Sequence, residues 1–279
     1  MTDKKYRKYT CESGGSIVSA DPWAKLRQFT DARIALGRTG VSLPLQECLQ
    51  FKLAHAKARD AVYQRVDVKD ISSAFNRLQR PLVSLNSRVG SREEYLSRPD
   101  KGRQLDTSSQ EQLQKQEKGF DLCIVICDGL SAPAIYQNAI PFADGLLKII
   151  EQTTLTAAPV CFVGNGRVAV GDEVGNLLQA KMVVTLIGER PGLSSPNSLG
   201  AYLTWNPKPG LTDESRNCIS NIRQGGLPIA EGIRKAAYLI ERAFEIRKTG
   251  VELKDKMDDQ YVPLLTLRQE GRGTAGSIE

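Results

Sequence analysis

Asp121–Ser131 reads DLCIVICDGLS, an unbroken apolar run from Leu122 to Cys127 followed by Asp128-Gly129. A short continuous apolar run closed by a turn pair is the pattern of a strand buried on both faces. Such a strand needs helices above and below it, and the flanking sequence supplies them. Downstream, PFADGLLKIIEQTT predicts a helix, and APVCFVGNGRVAVGD predicts a strand, a turn and a second short strand. EVGNLLQAK then predicts a short helix, MVVTLIG another buried strand, and GAYLTW another. LPIAEGIRKAAYLIERAFEIRKTG predicts a long amphipathic helix with Ile229, Ile233, Ala236, Ile240 and Phe244 on one face. Arg247 and Lys248 suit its C-terminal dipole, and Gly250 its cap. Alternating strands and helices predict an α/β layer with a mainly parallel sheet over residues 119–250.

Upstream, the character differs. Residues 1–20 are polar and without periodicity, which predicts disorder. A helical N-terminal region follows over 21–118. DPWAKLRQFTDARIAL predicts a helix with Asp21 as N-cap, Pro22 at its first position and Gly37 as its stop. LPLQECLQFKLAHAKARDAVYQRV predicts a longer helix and VKDISSAFNRLQRPLV a third. The stretch from Asn86 to Asp106 reads as irregular, and TSSQEQLQKQEKG as a polar surface helix stopped by Gly119. Residues 251–279 form a polar tail.

At 279 residues, 41% hydrophobic and 25% charged, the chain can bury a sizeable core in one or two domains. Its net charge of +6 comes without basic blocks interleaved with aromatics, so nucleic acid is not indicated. No apolar run is long enough to span a bilayer, and MTDKKYRKYTCESGGS lacks the apolar core of a secretory signal. The six cysteines (Cys11, Cys48, Cys123, Cys127, Cys161 and Cys218) show no C-x-x-C spacing. In an extended chain Cys123 and Cys127 stand about 13 Å apart, too far for one metal or one disulfide. Reduced, buried thiols are the expectation.

Open parallel sheets hold ligands beyond the carboxyl ends of their strands. Four loops there carry candidates: CDGLS, GNGRV, GERPGL and SRNCISNIRQGG. Gly164, Gly166 and Ala169 fit a dinucleotide fingerprint, with Glu189 lying 20 residues beyond Ala169. That fingerprint must open a helix, whereas RVAV alternates like a strand and Asn165-Gly166 suits a hairpin turn. An NAD-type oxidoreductase is therefore the weaker alternative. Another is a scaffold whose basic surface meets an acidic partner. In GERPGL, Glu189 either closes a local ion pair with Arg190 or accepts a hydrogen bond from a polar ligand arm. Ser131 is placed to cap a helix near Pro133. Cys218 either sits buried or lines an apolar cofactor surface, where a small thiol allows close approach. The single histidine, His55, argues against a His-rich metal site and a Ser-His-Asp hydrolase.

DGLSAPAI, GRVAVGDEVG, IGERPGL, SLGAYLTWNP and NCISNIRQGG, in this order, resemble the hallmark segments of the ethanolamine ammonia-lyase small (light) subunit family. The resemblance runs from about Asp21 to Gly250. It implies a Rossmann-like domain behind a helical N-terminal part. It implies a subunit of an adenosylcobalamin-dependent enzyme that converts ethanolamine to acetaldehyde and ammonia. In that family, cobalt–carbon homolysis starts radical chemistry on a substrate held mainly by the large (heavy) subunit, and the small subunit closes the cobalamin site at the interface. Carried over by motif, Val168, Glu189 and Cys218 are similar to the family's cobalamin contacts. Residues around His55 do not match the D-x-H-x-x-G motif of proteins that replace the cofactor's own base. The resemblance also implies a bacterial cytoplasmic setting, within a protein-shelled microcompartment.

Overall fold

The computed structural model describes residues 17–263. By their internal contacts these fall into two compact units, residues 17–59 with Gly192–Ser195, and Asp60–Pro191 with residues 196–263. In the first unit the helix expected after Asp21 shrinks to a single 3-10 turn, Ala24–Gln28. Asp21 does turn its carboxylate onto Trp23 N, at 2.8 Å. Thr30 then captures the Ala32 N–H, and Ala35 takes a left-handed conformation, so the helix cannot propagate. Trp23 and Phe29 are exposed, and without a buried face so short a helix has little to sustain it. Helix α1 (Leu45–Tyr63) follows as expected.

The second unit is a six-stranded sheet with helices on both faces. Its elements are α2 (Val68–Arg77), β1 (Leu82–Asn86), α3 (Arg92–Ser97), α4 (Thr107–Gln114) and β2 (Leu122–Cys127). Next, α5 (Ala132–Ala134) passes through a π turn at Ile135–Ala139 into α6 (Ile140–Ile150). Then come β3 (Val160–Gly164), α7 (Val170–Leu177), β4 (Met182–Gly188), β5 (Leu199–Trp205), β6 (Arg216–Ile222) and α8 (Ile229–Ile246). The strand order is β1-β3-β2-β4-β5-β6. The first four strands are parallel. β5 returns antiparallel to β4, Met182 facing Trp205, and β6 is antiparallel to β5, Tyr202 facing Cys218.

Strand alternation sorts two cores. Leu122, Ile124 and Ile126, with Met182, Val184 and Leu186, pack against Phe142 and Leu146 of α6 and Ala236 and Ile240 of α8. Cys123, Val125 and Cys127, with Val183 and Ile187, pack against Leu113 of α4 and Val170 and Val174 of α7. Burial on both faces is why β2 and β4 read as unbroken apolar runs.

Besides α3, which forms inside the Asn86–Asp106 stretch read as irregular, four expectations change. No second strand follows GNGRV; α7 begins at Val170 instead. Both edges of β3 are already taken, by β1 and β2, so a hairpin partner has no place to pair. Asn165 does turn left-handed, but the chain then passes so close to β2 that a side chain on Gly166 would meet Cys127 Sγ at 2.7 Å. The second change is at LQRPLV, where left-handed Gln79 and then Pro81 end α2 and release β1 as a strand. Third, SRNCISNI is strand β6 rather than loop. Last, α8 is capped by left-handed Arg247, and Gly250 opens a separate 3-10 turn.

Candidate functional site

The chain leaves β2 toward the α6 face and β3 toward the α7 face, which opens a crevice between their carboxyl ends. The protein fills this crevice itself. The Asp128 carboxylate accepts from Gly129 N at 3.0 Å and from the backbone N–H groups of Asn165 and Gly166. Arg92 Nη1 stands 3.7 Å from Asp128 Oδ2, while Arg92 Nε donates to Val62 O at 2.7 Å. Burial pushes the Asp128 carboxyl up to about 6; Arg92 and the three N–H groups pull the other way. The guanidinium carbons of Arg92 and Arg167 lie 4.6 and 4.0 Å from the Tyr95 ring centre. Tyr95 donates its hydroxyl to Gly166 O, and Arg167 Nη2 donates to Tyr95 O.

This geometry replaces the argument against a dinucleotide. The glycine turn does lead into a helix, contrary to expectation. Its anion seat is occupied by Asp128, however, and the first N–H groups of α7 are bonded to the carbonyls of Arg167, Val168 and Ala169. Ser131 accepts from Ala134 N, as a cap should, and donates to Pro196 O.

The other half of the sheet is different. On β5 and β6, Leu199, Ala201, Leu203, Ile219 and Ile222 face the α8 core. Gly200, Tyr202, Cys218 and Ser220 face the opposite way, and there Cys218 and Ser220 are exposed. Glu189, one residue past β4, reaches into this face. Its Oε1 accepts from Ser220 Oγ at 2.6 Å; its Oε2 accepts from Ser198 Oγ and from Asn221 N at 3.2 Å. A side chain at position 200 would come within 3.0 Å of Glu189 Oε1, so glycine there clears the carboxylate. No ion pair joins Glu189 to Arg190 among the described residues; hydroxyls and an amide hold it instead.

Among the described residues Cys218 is the one exposed cysteine, which corrects the buried alternative for it. Cys123, Cys127 and Cys161 are buried free thiols, Cys48 is partly buried, and Cys11 lies outside the described residues. Desolvation against Tyr202 and its neighbours raises the Cys218 thiol pKa and the Glu189 charge adds to it, while the Tyr202 hydroxyl pulls the other way. Burial is also the leading cause that raises Tyr202, with Cys218 and Glu189 contributing. Glu189 and Cys218 are thus brought together around Tyr202.

Val168 stands apart from that pair, in the loop before α7, packed on the same core as Tyr202. It lines an open cleft of about 920 Å3 with residues that include Arg88, Arg103, Arg167, Leu211 and Arg216. The sequence reading missed Gly200, Tyr202, Ser198 and Ser220. The period-2 pattern of LGAYLTW does mark Gly200 and Tyr202 as facing away from the core. In RNCISNI the polar residues mask the same signal. Among the described residues no group of three His, Cys, Asp or Glu is placed to hold a metal, and His55 is exposed on α1.

Fold and site together define an α/β protein whose β2–β3 crevice is self-filled and whose antiparallel strands bear a carboxylate, a phenol and an exposed thiol side by side. Comparison with known proteins agrees with the motifs: the family model for ethanolamine ammonia-lyase light chain (EutC) matches residues 20–254. The chain is 49% identical over 244 residues to the ethanolamine ammonia-lyase small subunit of Pseudomonas fluorescens (strain Pf0-1), covering 86% of this chain and 89% of that one. It is 48% identical over 242 residues to that of Xanthomonas campestris pv. campestris (strain ATCC 33913), covering 85% and 89%. To that of Pseudomonas aeruginosa (strain LESB58) it is 48% identical over 244 residues, covering 86% and 89%. The chain belongs to the ethanolamine ammonia-lyase light-chain family.

Proposed function

We propose that this chain completes an adenosylcobalamin site at an interface with the large subunit of the enzyme that turns ethanolamine into acetaldehyde and ammonia. The observation that carries the reading is the exposed patch of Cys218 and Ser220 on β6, beside half-buried Tyr202 and Glu189. A corrin is broad and flat, with amides around its rim. Cys218 and Ser220 leave a low exposed surface beside Tyr202, and Glu189 Oε1 has one hydrogen-bond partner among the described residues and lone-pair capacity for a second. The residues present fit the group. Bound adenosylcobalamin supplies the radical chemistry. This chain's residues orient the ring, exclude water from one side and fix an acceptor through Ser198, Ser220 and Asn221.

A large-subunit partner is supported by the exposed apolar side chains of the first unit and α1, among them Trp23, Phe29, Val41, Leu45, Leu49 and Phe51. No described helix is long and apolar enough to cross a membrane. The bacterial cytoplasmic and microcompartment setting remains an implication of the family. The test is co-expression with the matching large subunit, then gel filtration with adenosylcobalamin and a visible spectrum of the protein peak. Co-elution of both chains with the corrin, and acetaldehyde on adding ethanolamine, is the expected result. A complex that forms but carries no corrin removes Val168, Glu189 and Cys218 from the site.

A further inference from the structure

The cleft beside Val168 is lined by four arginines, Arg88, Arg103, Arg167 and Arg216, and three carboxylates, Asp100, Glu173 and Asp213. Each carboxylate already has a partner. Asp100 is gripped by Arg98, through Nε at 2.9 Å and Nη2 at 2.7 Å. Glu173 accepts from Leu105 N at 2.8 Å and from Gln110 Nε2 at 2.7 Å, one on each oxygen. Asp213 accepts from Arg216 Nη1 at 3.1 Å.

The cationic donors are not used up. Among the described residues Arg88 gives only its Nε, to Leu105 O at 3.3 Å. Arg167 gives Nη2 to Tyr95 O, and its buried Nε has no acceptor. The Arg103 guanidinium is exposed and has no acceptor among the described residues. Arg216, deeply buried against Asp172, has a buried Nε with no acceptor among the described residues. Guanidinium forks with spare N–H groups match the oxygens of a phosphate.

We propose that this cleft is a phosphate-oxyanion subsite, with Arg88, Arg103 and Arg167 as its donors. Resting on the cobalamin reading above, the first source to test is the phosphodiester of the cofactor's nucleotide arm, since Val168 lines the same cleft. Free inorganic phosphate offers the same chemistry. Helix α7 is not the anion-binding element, because its first N–H groups are already bonded.

The experiment uses the large–small complex, wild type and R88Q/R103Q, both positions being exposed. Equilibrium dialysis measures binding of adenosylcobalamin and of adenosylcobinamide, which lacks the phosphate, ribose and base. Isothermal titration measures inorganic phosphate. The expected result is a loss of about tenfold or more in cobalamin affinity in the variant, with cobinamide unchanged. If only inorganic phosphate binding is lost, the subsite stands and serves a free anion. If cobalamin, cobinamide and phosphate all bind variant and wild type alike, the subsite is overturned. A wild-type complex that takes up no corrinoid sinks the cobalamin reading, and the phosphate titration still judges the subsite.

Discussion

The parallel and antiparallel halves of the sheet solve opposite problems. Around β2 and β3 the protein covers both faces and closes the carboxyl-end crevice with its own Asp128, Arg92 and Tyr95. Around β5 and β6 it covers one face with α8, and on the other leaves Cys218 and Ser220 exposed beside half-buried Tyr202 and Glu189. The crevice between β2 and β3 is therefore structural here, whereas the cleft beside Val168 and the exposed patch of β6 are left open. The halves are joined by an ion pair between Asp172 of α7 and Arg216 of β6, with both side chains 2% exposed. Asp172 also meets Thr204 of β5.

Breaking that joint should have the largest effect. Asp172→Ala strands the Arg216 guanidinium in the interior, and a loss of about 3–5 kcal/mol is expected. Urea denaturation checks it; a loss below about 1 kcal/mol means the halves are held by apolar packing alone.

Asp128 tests the closed crevice. Its carboxyl rises from 3.8 to about 6 on folding. A raised pKa means the folded state binds the proton more tightly. Its stabilising contribution is complete below about pH 4 and is lost as pH climbs through about 6. The shift corresponds to on the order of 3 kcal/mol. Asp128→Asn should remove this slope, so melting temperatures measured from pH 4 to 7 should be flatter than wild type. An unchanged slope places the titration elsewhere.

The open half responds in binding rather than stability. Cys218→Phe puts a ring on the exposed face, and should weaken adenosylcobalamin binding by the complex about tenfold or more while changing stability by about 0.5 kcal/mol or less. Wild-type affinity in the folded variant would move the cofactor off this face. Smallest is Glu189→Gln, which keeps the shape but replaces one acceptor oxygen with a donor. A few-fold weaker cobalamin retention is expected, with Ser220 losing its charged partner. Unchanged retention would leave Glu189 only as a tie between the β4 end and β6.

The buried half was legible because its strands carry a local signal. LCIVIC and MVVTLIG are apolar at every position, as burial on both faces requires. Elements with one wet face were harder. RNCISNI has polar residues at four of seven positions and passes for a loop, although Ile219 and Ile222 are buried. RVAV misled in the opposite direction: its alternation is local, but strand formation needs a free neighbour, and β3 has none. The N-terminal stretch spaced its apolar residues like a helix, yet periodicity stabilises a helix only when its stripe is buried.

Sequence by itself determined the α/β class, the family, and the positions of Val168, Glu189 and Cys218 as candidates, because buried strands, turn residues and family motifs are written in neighbouring residues. Tertiary structure decided which of those positions meet. It put Asp128 in the glycine turn, turned Cys218 outward beside Tyr202, and set Val168 at the rim of an arginine-lined cleft. Those facts follow from strand order and from the face each strand presents. Both are set by contacts between residues tens of positions apart, which no local pattern encodes.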